Sequence, residues 1–98
     1  MFPRELDHAK VLWYTDKGDY GCIYYTTGDI CDQRSFYAIC QYPAVQGFYL
    51  FSCDAHYEVI FDDLLDSVED CKQQVAQRYP NVIWHTAEQT PPQWWEVS

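Results

Sequence analysis

Three histidines, His8, His56 and His85, are the first candidates for chemistry. They are scattered without HxxxH or HxH spacing, so the chain offers no preformed zinc site. His56, between Asp54 and Glu58, is the best placed for acid–base work. The simpler reading is a turn histidine whose neighbours are solvated carboxylates, and it is preferred. Asp62, Asp63 and Asp66 are hard oxygen donors of the kind that hold a divalent cation. Capping and solvation of a following helix account for them without a metal. The four glycines are not clustered, so there is no phosphate-cradling loop.

Five cysteines, at positions 22, 31, 40, 53 and 71, form no CxxC pair, and their odd number excludes a fully paired disulfide framework. Cys22, Cys40 and Cys53 lie in apolar runs and Cys71 on an apolar helix face, where a free thiol acts as a small buried hydrophobe. Cys31 lies in the polar segment Gly28-Asp29-Ile30-Cys31-Asp32, whose carboxylates raise a thiol pKa rather than lower it. A nucleophilic cysteine needs a base and an electropositive setting, and neither is evident. No catalytic residue, metal or cofactor is expected on these grounds. A small enzyme built on His56 and the nearby carboxylates is kept as an alternative.

The 98 residues suit one domain spanning the whole chain. With 48% hydrophobic and 18% aromatic residues, the chain has the apolar surface to fold. Six basic against fifteen acidic residues give a formal charge of -9, which repels phosphate, so direct nucleic-acid binding is not expected. No apolar run has the length of a membrane span, and residues 1–10 lack the pattern of a secretory signal. A cytoplasmic location without membrane contact is the expectation. The charge has two readings, solubility and complementarity to a basic partner. Acidic residues interleaved with aromatics over 16–25, 54–63 and 94–96 favour the second.

The elements that must position these groups follow from periodicity. Residues 11–15 and 20–26 are β-branched and aromatic, and Asp16-Lys17-Gly18-Asp19 between them predicts a hairpin. Residues 35–42 alternate, and Pro43 ends the strand. The run 48–53 is apolar on both faces and predicts a central strand. Residues 57–62 place Tyr57, Val59 and Phe61 on one face, expected inward, with Glu58, Ile60 and Asp62 on the other. Ser67 as N-cap, with Glu69 and Asp70 in the first turn, opens a helix over 67–79. Its stripe is Leu64, Val68, Cys71, Val75 and Tyr79, and Pro80 ends it. Val68, Cys71 and Val75 are expected against Phe48 or Leu50 and Val59. Residues 82–84 predict a last strand, and Thr90-Pro91-Pro92-Gln93-Trp94-Trp95 a stiff tail.

The resulting fold class is α+β, an antiparallel meander of about five strands with one helix on one face. One helix covers one face, so the other must meet solvent, a partner or a second copy. A homodimer through that face or residues 82–84 is a further expectation.

The segments Gly47-Phe48-Tyr49-Leu50-Phe51-Ser52-Cys53-Asp54, Glu58-Val59-Ile60 and Asp66-Ser67-Val68-Glu69-Asp70-Cys71-Lys72-Gln73-Gln74, with Trp84, resemble small bacterial immunity-type proteins. In these a strand with a Cys-Asp turn leads to a strand and a "DSxExxKxQ" helix. The resemblance covers the C-terminal half and carries over no catalytic residue. It implies a binding protein that neutralises a toxin by covering its active site or holding it inactive. The function expected is stoichiometric inhibition of a toxin or nuclease with a basic active surface. The alternative is a nucleic-acid mimic that blocks a DNA- or RNA-binding enzyme, such as a phage-encoded anti-defence protein. Carboxylates that the core does not use, Asp16, Asp19, Asp29, Asp32, Asp54 and Glu58, are expected at the interface, with Tyr20, Tyr24 and Trp95 as aromatic anchors. Reversing Asp16, Asp19 and Asp54 to Lys is expected to leave the fold intact.

Overall fold

The structure, a computed structural model, describes residues 2–24 and 31–87, with only the backbone of Tyr24 and Cys31. The elements in chain order are β1 (Glu5–Leu6), β2 (Ala9–Thr15), β3 (Cys22–Tyr24), β4 (Cys31–Gln33), β5 (Phe36–Gln41), β6 (Phe48–Cys53), β7 (Val59–Leu65), α1 (Val68–Ala76) and β8 (Trp84–Thr86). The fold is α+β, with one helix on a curled antiparallel sheet ordered β1-β2-β5-β6-β7, while β8 runs beside β2 and β3 pairs β4 separately.

The first correction concerns the hairpin expected from residues 11–15 and 20–26. The described residues of these segments do not pair with each other. β2 pairs β5, with Val11 opposite Cys40 and Tyr14 opposite Ala38, and β3 pairs β4. Between them the Gly18 amide donates to the Ser35 carbonyl, Tyr20 to Arg34, and Arg34 back to Gly21. Residues 9–24 and 31–41 therefore form one long antiparallel ribbon, and Asp16-Lys17-Gly18-Asp19 is an irregular stretch within it rather than a reversal. Gly21 takes a φ of +86, which a side chain would resist, and the Asp19 carboxylate accepts its amide at 3.2 Å.

β5 and β6 are inner strands, as is β2, and residues on both faces of β5 and β6 are buried. On one face Cys71 and Val75 of α1 bury against Tyr37, Ile39 and Leu50, with Trp13, Phe48, Leu65, Val68 and Trp84 packed around them. Ser67 caps the helix as expected, its Oγ accepting the Asp70 amide at 3.0 Å. Regular helix ends at Ala76, although the Tyr79 amide still donates to the Val75 carbonyl at 2.9 Å.

β7 departs from the strand expected at 57–62. Ser52 pairs with Phe61 and Cys53 with Val59, so Ile60 is the extra residue of a β-bulge. The bulge moves Phe61 off Val59's face. Val59 packs against the cluster that contains Phe36 and Phe51, on the sheet face away from the helix and not with the α1 cluster, whereas Phe61 is 44% exposed. Tyr57 precedes the strand with a left-handed φ of 64. Leu64, assigned to the helix stripe, is a β7 residue opposite Tyr49 and 53% exposed. The last strand lies two residues later than 82–84.

The face without a helix is not left open. The curled sheet folds Phe2 over it, stacked on Tyr14 at 4.6 Å and edge-on to Phe36 and Tyr57. Ala9, Val11, Ala38, Cys40, Phe51 and Cys53 are buried beneath. The tight β1–β2 connection that brings Phe2 there uses Asp7 and His8, both at positive φ as a two-residue type I′ turn requires. Tyr42 pins it by donating its hydroxyl to the Asp7 carbonyl at 2.7 Å.

No helix among the described residues is long and apolar enough to cross a membrane. Cys40, Cys53 and Cys71 are free and buried, as their apolar settings predict, while Cys22 is exposed on β3. Burial pushes the Cys40 thiol far above its usual range, Cys53 up to about 12 and Cys71 up to about 11, with nearby carboxylates adding to the last two.

Candidate functional site

The ends of β2, β5 and β6 are aligned by a short chain of backbone bonds, Gly18 amide to Ser35 carbonyl and Ser35 amide to Cys53 carbonyl. Alignment places Asp16 and Asp19, which follow β2, at the same end of the sheet as Asp54 and Glu58, which lie between β6 and β7. Asp32 lies on β4, the continuation of the ribbon beyond that end. Asp29 and Trp95 lie outside the described residues, and Tyr24 is described only as a β3 backbone pair of Cys31.

These carboxylates are not equivalent. Asp54 Oδ1 accepts the amides of His56 at 2.8 Å and Glu58 at 3.0 Å, so it builds the β6–β7 turn. Its expected status as a charge without structural duty is corrected. Asp16 and Glu58 are exposed, and Asp19 accepts one bond, from the Gly21 amide.

Asp16 and Tyr20, drawn from the same irregular stretch, line one cleft of about 400 Å³. The opposite wall is the connection from α1 to β8, with Arg78, Tyr79, Pro80, Asn81, Val82 and Ile83. Regular helix has already ended at Ala76, and Pro80 keeps the chain from resuming it on the way to β8. Tyr20 packs at 5.1 Å from both Tyr37 and Tyr79, and its hydroxyl donates to the Asp16 carbonyl at 2.9 Å. It is thus a fixed wall of the cleft rather than a free anchor. Ile83, 61% exposed, stands at the cleft, an apolar side chain that the core does not claim. Asp16 also pairs with His85 of β8, Nε2 to Oδ1 at 2.7 Å.

Such a lining of two phenols, a proline, two aliphatic side chains, a carboxamide, a carboxylate and a guanidinium suits capture of an apolar or aromatic side chain with a cationic neighbour. Of the wall from Tyr79 to Ile83, the sequence singled out only Val82 and Ile83, as part of a strand for self-association, and not Tyr79, Pro80 or Asn81. The wall's signal was the Pro80-Asn81 break between two apolar runs.

His56 is exposed in the β6–β7 turn, β7 carries Asp62 and Asp63 away from it, and Asp66 lies beyond the end of β7. Among the described residues no group of three His, Cys, Asp or Glu side chains is placed to hold a metal ion. Comparison with family models, curated proteins and solved structures returns no match.

Proposed function

We propose that this protein is a stoichiometric inhibitory binding protein of the immunity type, acting on a toxin or nuclease whose active surface is basic. The observation that carries the reading is the Asp16–Tyr20 cleft, a largely apolar recess with Asp16 in its lining, set at the sheet end where Asp19 and Glu58 also stand. In a chain of charge -9, that end steers a cationic surface inward and the cleft anchors it. A rigid aromatic wall costs little entropy on binding, as interface anchors require.

The test is retention of a partner on the immobilised protein from source-cell lysate, followed by titration of the retained enzyme's activity. The reading expects a basic protein, released by salt and inhibited to completion at one equivalent. It fails if nothing basic is retained, or if the partner is retained equally by Asp16→Lys. Release by added DNA or RNA in place of salt assigns the site to nucleic-acid mimicry.

A further inference from the structure

A second concavity, of about 270 Å³, lies between α1 and the sheet, lined by Arg34, Tyr37, Phe61, Asp63, Gln74 and Arg78 among others. Two of the six basic residues of a strongly acidic chain face it. Cations in such a chain are expected to be neutralised by carboxylates, and among the described residues these two are not. Arg34 Nε donates to Ser52 Oγ at 3.2 Å, and its guanidinium lies 5.7 Å from the Phe61 ring centroid. Those contacts fix the group while its terminal nitrogens find no acceptor among the described residues. The Arg78 guanidinium has neither ion pair nor hydrogen bond there. Asp63, the carboxylate in the same lining, is instead engaged by Gln74 Nε2 at 2.9 Å.

We propose that this concavity binds the oxyanion of a small organic ligand, a phosphate monoester or a carboxylate, between Arg34 and Arg78. Guanidinium forks suit both oxyanions. Leu50 and Val75, also in the lining, give the organic portion an apolar surface. Tyr37 adds a neutral donor. Burial raises its pKa, outweighing the lowering by Arg34 and then Arg78, so it stays a phenol at neutral pH. The Phe61 side of the site exists because the Ile60 bulge turns Phe61 onto the helix-facing side of β7. The site shares Arg78 with the wall of the Asp16–Tyr20 cleft, but it requires no macromolecular partner.

The experiment is an NMR titration of the labelled protein with phenyl phosphate, with benzoate and with neutral benzyl alcohol, at constant ionic strength. Saturable shifts at Arg34 Nε and at the amides of Tyr37, Gln74 and Gln77 are expected with at least one anion and not with the alcohol. Saturation by phenyl phosphate alone assigns a phosphate ligand, and by benzoate alone a carboxylate. Arg78 is exposed, so Arg78→Gln keeps the fold and is expected to weaken binding about tenfold, the worth of one charged hydrogen bond. Arg34→Gln has the same effect, with the thermal transition confirming that it folds. Absence of saturable shifts with both anions, or unchanged affinity in Arg78→Gln, overturns the proposal.

Discussion

His85 Nε2 lies 2.7 Å from Asp16 Oδ1, joining residues 69 positions apart in the sequence. The contact ties β8 to the end of β2, and the His85 ring rests against Tyr14 at 5.4 Å. Both side chains keep much of their exposure, 40% for His85 and 62% for Asp16, so solvent screens the pair. Asp16→Asn is therefore expected to cost less than about 1 kcal/mol in urea unfolding. A loss above about 2 kcal/mol would make Asp16 a structural residue and remove it from the binding surface.

Phe2 closes the face that has no helix, and its ring contacts Tyr14, Phe36 and Tyr57. Truncation leaves a cavity that three aromatic neighbours cannot easily fill. Phe2→Ala should lower stability by about 3 to 5 kcal/mol in chemical denaturation. A change below about 1 kcal/mol would mean that the face is closed without it.

Buried thiols give the fold a pH dependence of defined sign. Cys53 and Cys71 titrate near 12 and 11 in the folded chain, above the unfolded value of about 8.5. The folded state then holds more protons than the unfolded state at alkaline pH. Stability from this source is full below about pH 8.5 and falls as pH rises from there toward the folded values. Denaturation midpoints measured from pH 7 to 11 should decline, and the decline should shrink in Cys71→Ala. At pH 8, peptide mapping after alkylation should find Cys22 labelled and Cys40, Cys53 and Cys71 protected. Labelling of those three at the rate of Cys22 would contradict the packing.

Helix α1 was legible because its signals are local: the Ser67 cap, the acidic first turn and the spacing of Val68, Cys71 and Val75. The inner strand β6 was legible because it is apolar on both faces. The pairing of β2 with β5 was not, since turn-forming residues 16–19 read as a reversal when ribbon bonds to Arg34 and Ser35 hold them in a bend. Nor was the Ile60 bulge, because alternation carries no mark of one inserted residue, and that insertion reassigned Phe61. The second face was misjudged because Phe2 acts from the far end of the sequence. Of the residues expected at an interface, Asp16 and Tyr20 line one cleft because they share a stretch of chain. The opposite wall, residues 78–83, arrives through tertiary folding.

The central claim is that the acidic sheet end recruits a basic partner. It is tested most directly by the association rate of the retained partner with wild type and with an Asp16→Lys, Asp19→Lys, Glu58→Lys triple variant across a salt series. Asp54 is left intact because its carboxylate builds the β6–β7 turn. The account predicts association at least about tenfold slower at low salt, a flattened salt dependence and a nearly unchanged melting temperature. A triple variant that folds and associates as fast as wild type at every salt concentration would contradict it.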